Sequence, residues 1–177
     1  MKHIITLIFM LLPLLATPQS TESNQLYNRA NELYDAGQYD EAIILLKKCD
    51  SLDKIQLDPS HENYNRAEYG IAICETYITG QYFNARDLDE ALRHQKNAVD
   101  IFKRIMGEES DEYTSALSNI AFIYNEKGDF AEAIKLENSV VKTIKKTSGE
   151  DAPYYATALF NLSHFYGALP TNPRNSS

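Results

Sequence analysis

Residues 107–124 read GEESDEYTSALSNIAFIY and residues 149–166 read GEDAPYYATALFNLSHFY, and the two stretches align without a gap at an offset of 42. Gly107-Glu108 matches Gly149-Glu150, Tyr113 matches Tyr155, Ala116-Leu117 matches Ala158-Leu159, Asn119-Ile120 matches Asn161-Leu162 and Tyr124 matches Tyr166. The same offset runs backwards, so that Glu90-Ala91-Leu92 meets Glu132-Ala133-Ile134. Agreement at this many positions marks a tandem repeat. A period of a few tens of residues is that of stacked supersecondary units, each too small to bury its apolar face alone.

The apolar spacing inside one period predicts two helices. Ala116, Leu117, Ile120, Ala121 and Tyr124 recur with helical periodicity, and beyond Lys127-Gly128-Asp129 the set Phe130, Ala133, Ile134, Val140, Val141 and Ile144 does the same. Gly128 falls where the first helix stops, since a residue without Cβ enters the left-handed conformation cheaply. Asp151 and Pro153 mark the next start, where an acid meets the positive helix end and proline sacrifices no hydrogen bond. Small residues at Ala42, Ala91 and Ala133 let paired helices approach closely. The expected fold class is all-α: antiparallel helical hairpins stacked as a solenoid.

The runs Gly37-Gln38-Tyr39-Asp40-Glu41-Ala42 and Gly128-Asp129-Phe130-Ala131-Glu132-Ala133, with Asn119-Ile120-Ala121 and Tyr124 upstream, resemble the tetratricopeptide repeat. The 42-residue period, with a Gly-acid loop feeding the next helix, resembles the longer kinesin-light-chain type. The similarity spans about Gln25 to Leu169. It implies a right-handed α-solenoid whose concave groove binds peptides or partner proteins.

On this basis the chain divides into unit 1 (23–57), unit 2 (61–106), unit 3 (110–148), the first helix of an incomplete unit 4 (151–169) and a polar tail (170–177). Ile71-Ala72 pairs with Ile120-Ala121 at an offset of 49, whereas Ala91 pairs with Ala133 at 42, which places seven extra residues as an inter-helix insertion at 78–87. Arg86 stands there in place of the turn glycine. Unit 4 stops after one helix, so either that helix is the cap, or the array is part of a longer one, or a partner or second copy covers its open end.

Ahead of the repeats, residues 1–20 read MKHIITLIFMLLPLLATPQS. A positive start at Lys2, an uncharged run from Ile4 to Ala16 and a polar exit read as a signal peptide. The run is shorter than the roughly 20 residues needed to span a bilayer. The expected location is therefore exported, periplasmic or secreted, with no stable membrane span once the signal is removed. The whole chain carries 17 Lys+Arg against 25 Asp+Glu, a formal charge of −8. With no basic stripe, the counterion-release contribution to nucleic-acid binding is missing, and no nucleic-acid partner is expected.

The sequence offers no chemistry to a cofactor or metal. Its seven glycines are scattered singly and form no phosphate cradle. His61-Glu62 begins like a zinc-protease helix, but Asn65 holds the second ligand position. His94 has no acid or nucleophile set beside it by a recurring spacing and reads as solvated or groove-lining. The acids Glu108, Glu109, Asp111 and Glu112 lack the order of a calcium loop and read as charge at a helix start. Cys49 and Cys74 permit a disulfide in an exported protein, although two buried thiols filling helix crossings are the preferred reading.

The resemblance also implies which residues line the groove: those three, six and ten positions before each turn. In unit 1 these are Tyr34, Asn31 and Tyr27, and in unit 3 Asn125, Phe122 and Ser118. Matching through Ala72 gives Thr76, Ile73 and Tyr69 in unit 2, with Arg66 nearby, and unit 4 supplies Gly167, His164 and Phe160. Aromatic rings offer contact area at little entropic cost, and asparagine can bond an extended backbone. The reading that follows is a non-enzymatic protein- or peptide-binding scaffold. The alternative is the sensory region of a signalling regulator whose membrane and output domains are absent from this chain.

Overall fold

The computed structural model describes residues 19–170, and every regular element among them is an α-helix. The order is α1 (Gln19–Asp35), α2 (Tyr39–Gln56), α3 (Arg66–Asn84), α4 (Leu88–Met106), α5 (Asp111–Glu126), α6 (Phe130–Thr147) and α7 (Pro153–Ala168). The chain thus has the all-α helical-repeat solenoid class expected from its period. The segment read as a signal peptide lies outside the described residues, except that Gln19 and Ser20 open α1; of the tail, only Pro170 is described. None of the described helices is long and apolar enough to cross a membrane. The contacts divide the chain into two compact units, one up to Ile71 and one from Ala72 onward.

Three turns set the register. Gly37 (φ 75°), Arg86 (φ 62°) and Gly128 (φ 82°) each hold the left-handed conformation after α1, α3 and α5. Arg86 therefore does the work of the turn glycine while carrying a side chain, at the steric cost that L-residues incur there. The interval from Arg86 to Gly128 is 42, the repeat period, so no residues are inserted between α3 and α4. This corrects the expected insertion at 78–87: residues up to Asn84 belong to an unbroken α3. The true counterparts of Ile120-Ala121 are Ile78-Thr79. Thr79 fills the small-residue position by turning its hydroxyl back onto the Glu75 carbonyl at 2.9 Å. The additional length sits ahead of the body of α3, in the longer link 57–65 and an earlier start of α3 itself; in the link Asp58 accepts from the Ser60 amide (2.9 Å) and hydroxyl (2.7 Å). His61 lies in this link, exposed, its Nδ1 accepting from the Asn63 amide at 3.1 Å.

The starts of α4, α5 and α6 are fixed by side-chain caps. Asp87, Ser110 and Asp129 accept from the amides of Glu90, Tyr113 and Glu132, the first and last forming an acid-x-x-Glu pattern at equivalent positions. In the second compact unit, Ala72, Ala98, Val99, Phe102, Ala116 and Ile120 form one core cluster. Ala121, Ala133 and Phe165 form another, each 0 % exposed, so the small pair admits a whole phenyl ring. In the first unit α1 packs on α2, and Ala30, Ala42, Leu46 and Cys49 are buried. Gly70 in the first turns of α3 lets Leu46 close in, since a Cβ there would stand 3.1 Å from Leu46 Cδ1.

Candidate partner-binding face

In the second unit an accessible stripe runs along α5. Glu112, Ser115, Asn119 and Phe122 stand three, four and three residues apart, spacings that keep them on one helix face, and none is buried. Phe122, 37 % exposed, lies between Phe83 of α3 and His164 of α7, with ring centroids 6.1 and 6.0 Å away. The His164 ring is nearly parallel to it, at 8°. Phe165, wholly buried, meets Phe122 at 5.9 Å and His164 at 6.0 Å edge-on and supports both. Ring pairs at such separations add about 0.5–1.5 kcal/mol each beyond their buried area, so the row is held in place rather than hanging in solvent.

At the other end of the stripe a cavity of about 280 Å³ has Ile73, Phe102 and Ala116 among its lining, with Thr76, Ser115 and Asn119 supplying hydroxyl and amide groups. A narrower one of about 40 Å³ shares Asp111, Ser115 and Tyr154 with it and reaches Ser118 and Asn161. Behind Ser118 lies Glu137, 0 % exposed. Ser118 donates to it at 2.7 Å and Asn161 Nδ2 at 3.1 Å. Burial pushes the Glu137 carboxyl above its usual range, and these two hydrogen bonds pull it partly back.

The sequence-derived residues separate accordingly. Phe122 and His164 are brought together; Ile73 lines the cavity; Phe160 is 73 % exposed on α7. Asn125 is not on the face: it is only 7 % exposed and its Oδ1 is buried without a hydrogen-bond partner. Counting back from the turn put Asn125 and Ser118 on the stripe, but the helical period puts Ser115, Asn119 and Phe122 there. The same phase makes Phe83 and Gly80 of α3, not Thr76 and Ile73, the counterparts of Asn125 and Phe122. Phe83 was missed because unit 2 was matched through Ala72 rather than counted back from Arg86, although the 42-residue spacing of Arg86 from Gly128 carried the signal.

His94 also differs from expectation. It is buried, with Nδ1 2.5 Å from Glu75 Oε2 and its ring stacked on Tyr82 at 5.3 Å and 13°. Asn97 donates to the other Glu75 oxygen at 3.3 Å. The pair joins α3 to α4, and helical neighbours so far apart in sequence leave no local motif to read.

In the first unit, Arg66 is consumed in holding the hairpin together. Its Nε lies 3.0 Å from Asp53 Oδ2, Nη2 2.9 Å from Ser23 Oγ and Nη1 2.7 Å from Asn24 Oδ1. Its guanidinium stands 4.9 Å from the centroid of the Tyr27 ring. Asp53 is 1 % exposed and also accepts from Ser23, so the charge is buried with its partners. Tyr27 and Tyr34 are half-buried, Tyr34 at 5.6 Å from Tyr39, while Asn31 is exposed and Tyr69 is 38 % exposed. Cys49 and Cys74 are buried and neither is in a disulfide; burial pushes the Cys49 thiol up, with the Ser23 hydrogen bond opposing. Among the described residues no group of three His, Cys, Asp or Glu is placed to hold a metal ion.

Two family models, both described as tetratricopeptide repeat, match residues 26–56 and 80–146. No curated protein matches the chain significantly. Among solved structures, the chain is similar to BtubC (BKLC) from P. vanneervenii, at 18% identity and a TM-score of 0.54, over 86% of this chain and 67% of that one. A putative kinesin light chain with nearly identical TPR-like repeats from Podosopora anserina aligns at 20% identity, TM-score 0.47, over 86% of this chain and 68% of that one. A TPR-like protein from Chlorobium tepidum aligns at 21% identity, TM-score 0.46, over 84% and 96%.

Proposed function

We propose, on the premise that the chain belongs to the tetratricopeptide-repeat family with kinesin-light-chain-like repeats, that it is a non-enzymatic scaffold which binds a protein or peptide partner in an exported compartment. Repeats of this family serve as protein-interaction scaffolds and are as a rule non-catalytic. The observation that carries the reading is the ring row Phe83–Phe122–His164 beside a solvent-open stripe of hydroxyl and amide groups on α5. Exposed rings held from beneath by a core phenylalanine offer apolar contact without the entropy loss of freezing a mobile side chain. Ser115 and Asn119 can meet the polar backbone of an extended segment. Export is supported by the charge and apolar pattern of residues 1–20, and α1 begins at Gln19, so removal of the segment through Ala16 leaves the first hairpin whole.

The test uses a display library of random peptides selected on the folded protein. Recovered peptides are expected to lose about tenfold or more in affinity for the Phe122→Ala, His164→Ala double variant, a hot-spot-sized effect. Unchanged affinity in a variant with native helicity would sink the aromatic face as the binding site.

A further inference from the structure

We infer that the cavity at the start of α5 takes the side chain of a lysine or arginine from an extended partner segment. This rests on the scaffold reading above and adds what the scaffold selects. The floor of the cavity is apolar, formed by Ile73, Phe102 and Ala116, and its volume of about 280 Å³ falls below the roughly 300–1,000 Å³ of small-molecule pockets. That size suits one long side chain better than a whole metabolite. Asp111 and Glu112 line the same cavity, and Tyr154, 58 % exposed, brings a ring to it from the start of α7.

The charges decide the occupant. Of the four acids before and within the first turn of α5, Glu108 and Glu109 are already paired with Lys103 and Lys146. Asp111 and Glu112 have no such cation among the described ion pairs, and no Lys or Arg lines the cavity. An apolar floor under two carboxylates without a paired cation and a tyrosine ring is complementary to a methylene stem ending in a cation. The stem covers the floor and the charged head stays at the wet rim, where carboxylates and ring both attract it. An acidic side chain would meet like charge there. The net charge of −8 adds long-range attraction for a basic partner. The cavity lies on the α5 stripe that leads to Phe122, so a segment crossing the aromatic row can reach it.

Two pools of acetylated heptapeptides test this, identical and random at every position except the centre, which is Lys in one and its neutral isostere norleucine in the other. A third pool carries Glu at the centre. The wild-type chain is expected to bind the Lys pool about fivefold to tenfold more tightly than the norleucine pool, with the preference shrinking as salt is raised from about 50 to about 500 mM. In Asp111→Asn, Glu112→Gln the preference should collapse, whereas Phe122→Ala should weaken both pools equally. Should the double variant fail to fold, Tyr154→Leu, a change at an exposed ring, reads the same preference. Equal binding of Lys and norleucine pools, tighter binding of the Glu pool, or a preference that survives the Asp111 and Glu112 substitutions overturns the inference while leaving the scaffold reading in place. Binding of no pool overturns both.

Discussion

At the scale of single residues, the buried polar side chains carry the most information. Leu46, Gln95 and Glu137 occupy one position of the repeat, each four residues beyond the alanine at the helix crossing. The first is apolar core; Gln95 donates to the Ala116 carbonyl at 3.1 Å; Glu137 is bonded by Ser118 and Asn161. A polar residue where an earlier repeat has leucine is a signal visible in the sequence. Its partners are not, because they come from other helices. Since burial raises the Glu137 carboxyl above its ordinary 4.5, the folded chain holds that proton more tightly than the unfolded chain does. Its contribution to stability is fully present below pH 4.5 and is lost as pH rises through the raised value. Glu137→Gln, which keeps a neutral acceptor in place, is expected to raise the melting temperature at pH 7, with the gain closing below pH 4.5. Melts of both chains across that range check it, and a variant less stable at pH 7 would contradict the assignment.

At the scale of elements, helix existence was legible and helix register was less so. The 42-residue period and the 3.6-residue apolar spacing gave the later hairpins, and the Gly37-to-Ala42 run gave the first. Two Ile-Ala dipeptides, Ile71-Ala72 and Ile120-Ala121, then invited the wrong alignment of α3, because Thr79 stands where the repeat prefers alanine. The turn at Arg86 is the structural arbiter. A left-handed L-residue costs about 1–2 kcal/mol and glycine gives back about 0.5–1 kcal/mol of that as unfolded-state entropy. Arg86 also pairs with Glu126 at 2.9 Å, an exposed contact worth little. In a Glu126→Gln background, where that pair is already absent, Arg86→Gly is expected to stabilise by about 0.5–1 kcal/mol, or roughly 2–3 °C in a melt. A lower melting temperature would show that the positive φ is not strained. The face on α5 was half-legible for the same reason: Phe122 and His164 emerged from turn counting, while Ser115, Asn119 and Phe83 needed the true helical phase.

At the scale of the whole molecule, α7 presents more apolar surface than the other helices justify. In α5, Leu117 packs on the Val140–Ile144 cluster and Tyr124 on Ala121 and Ala133, so α6 covers both. Their counterparts on α7, Leu159 and Tyr166, are 42 % and 53 % exposed. A second copy, bringing the same face, is the proposed cover. Protein recovered from an exported fraction is expected to have an intact mass consistent with cleavage between Ala16 and Ser23. It should sediment as a concentration-dependent dimer that Leu159→Asp, Tyr166→Asp returns to monomer. A full-length mass, or a monomer at every concentration, would count against export and self-association respectively.

The matching turns at Arg86 and Gly128 have one further consequence. Each is followed directly by an aspartate, Asp87 or Asp129, that caps the next helix in the same way. Joining Arg86 to Asp129 would delete 42 residues, 87 to 128, and still hand α3 to a helix whose first turn is built like the one lost. In the gene this is the in-frame loss of 3 × 42 = 126 nucleotides. Unequal recombination between repeats therefore has a seam at which the chain can shorten or lengthen by whole hairpins without improvising a new junction.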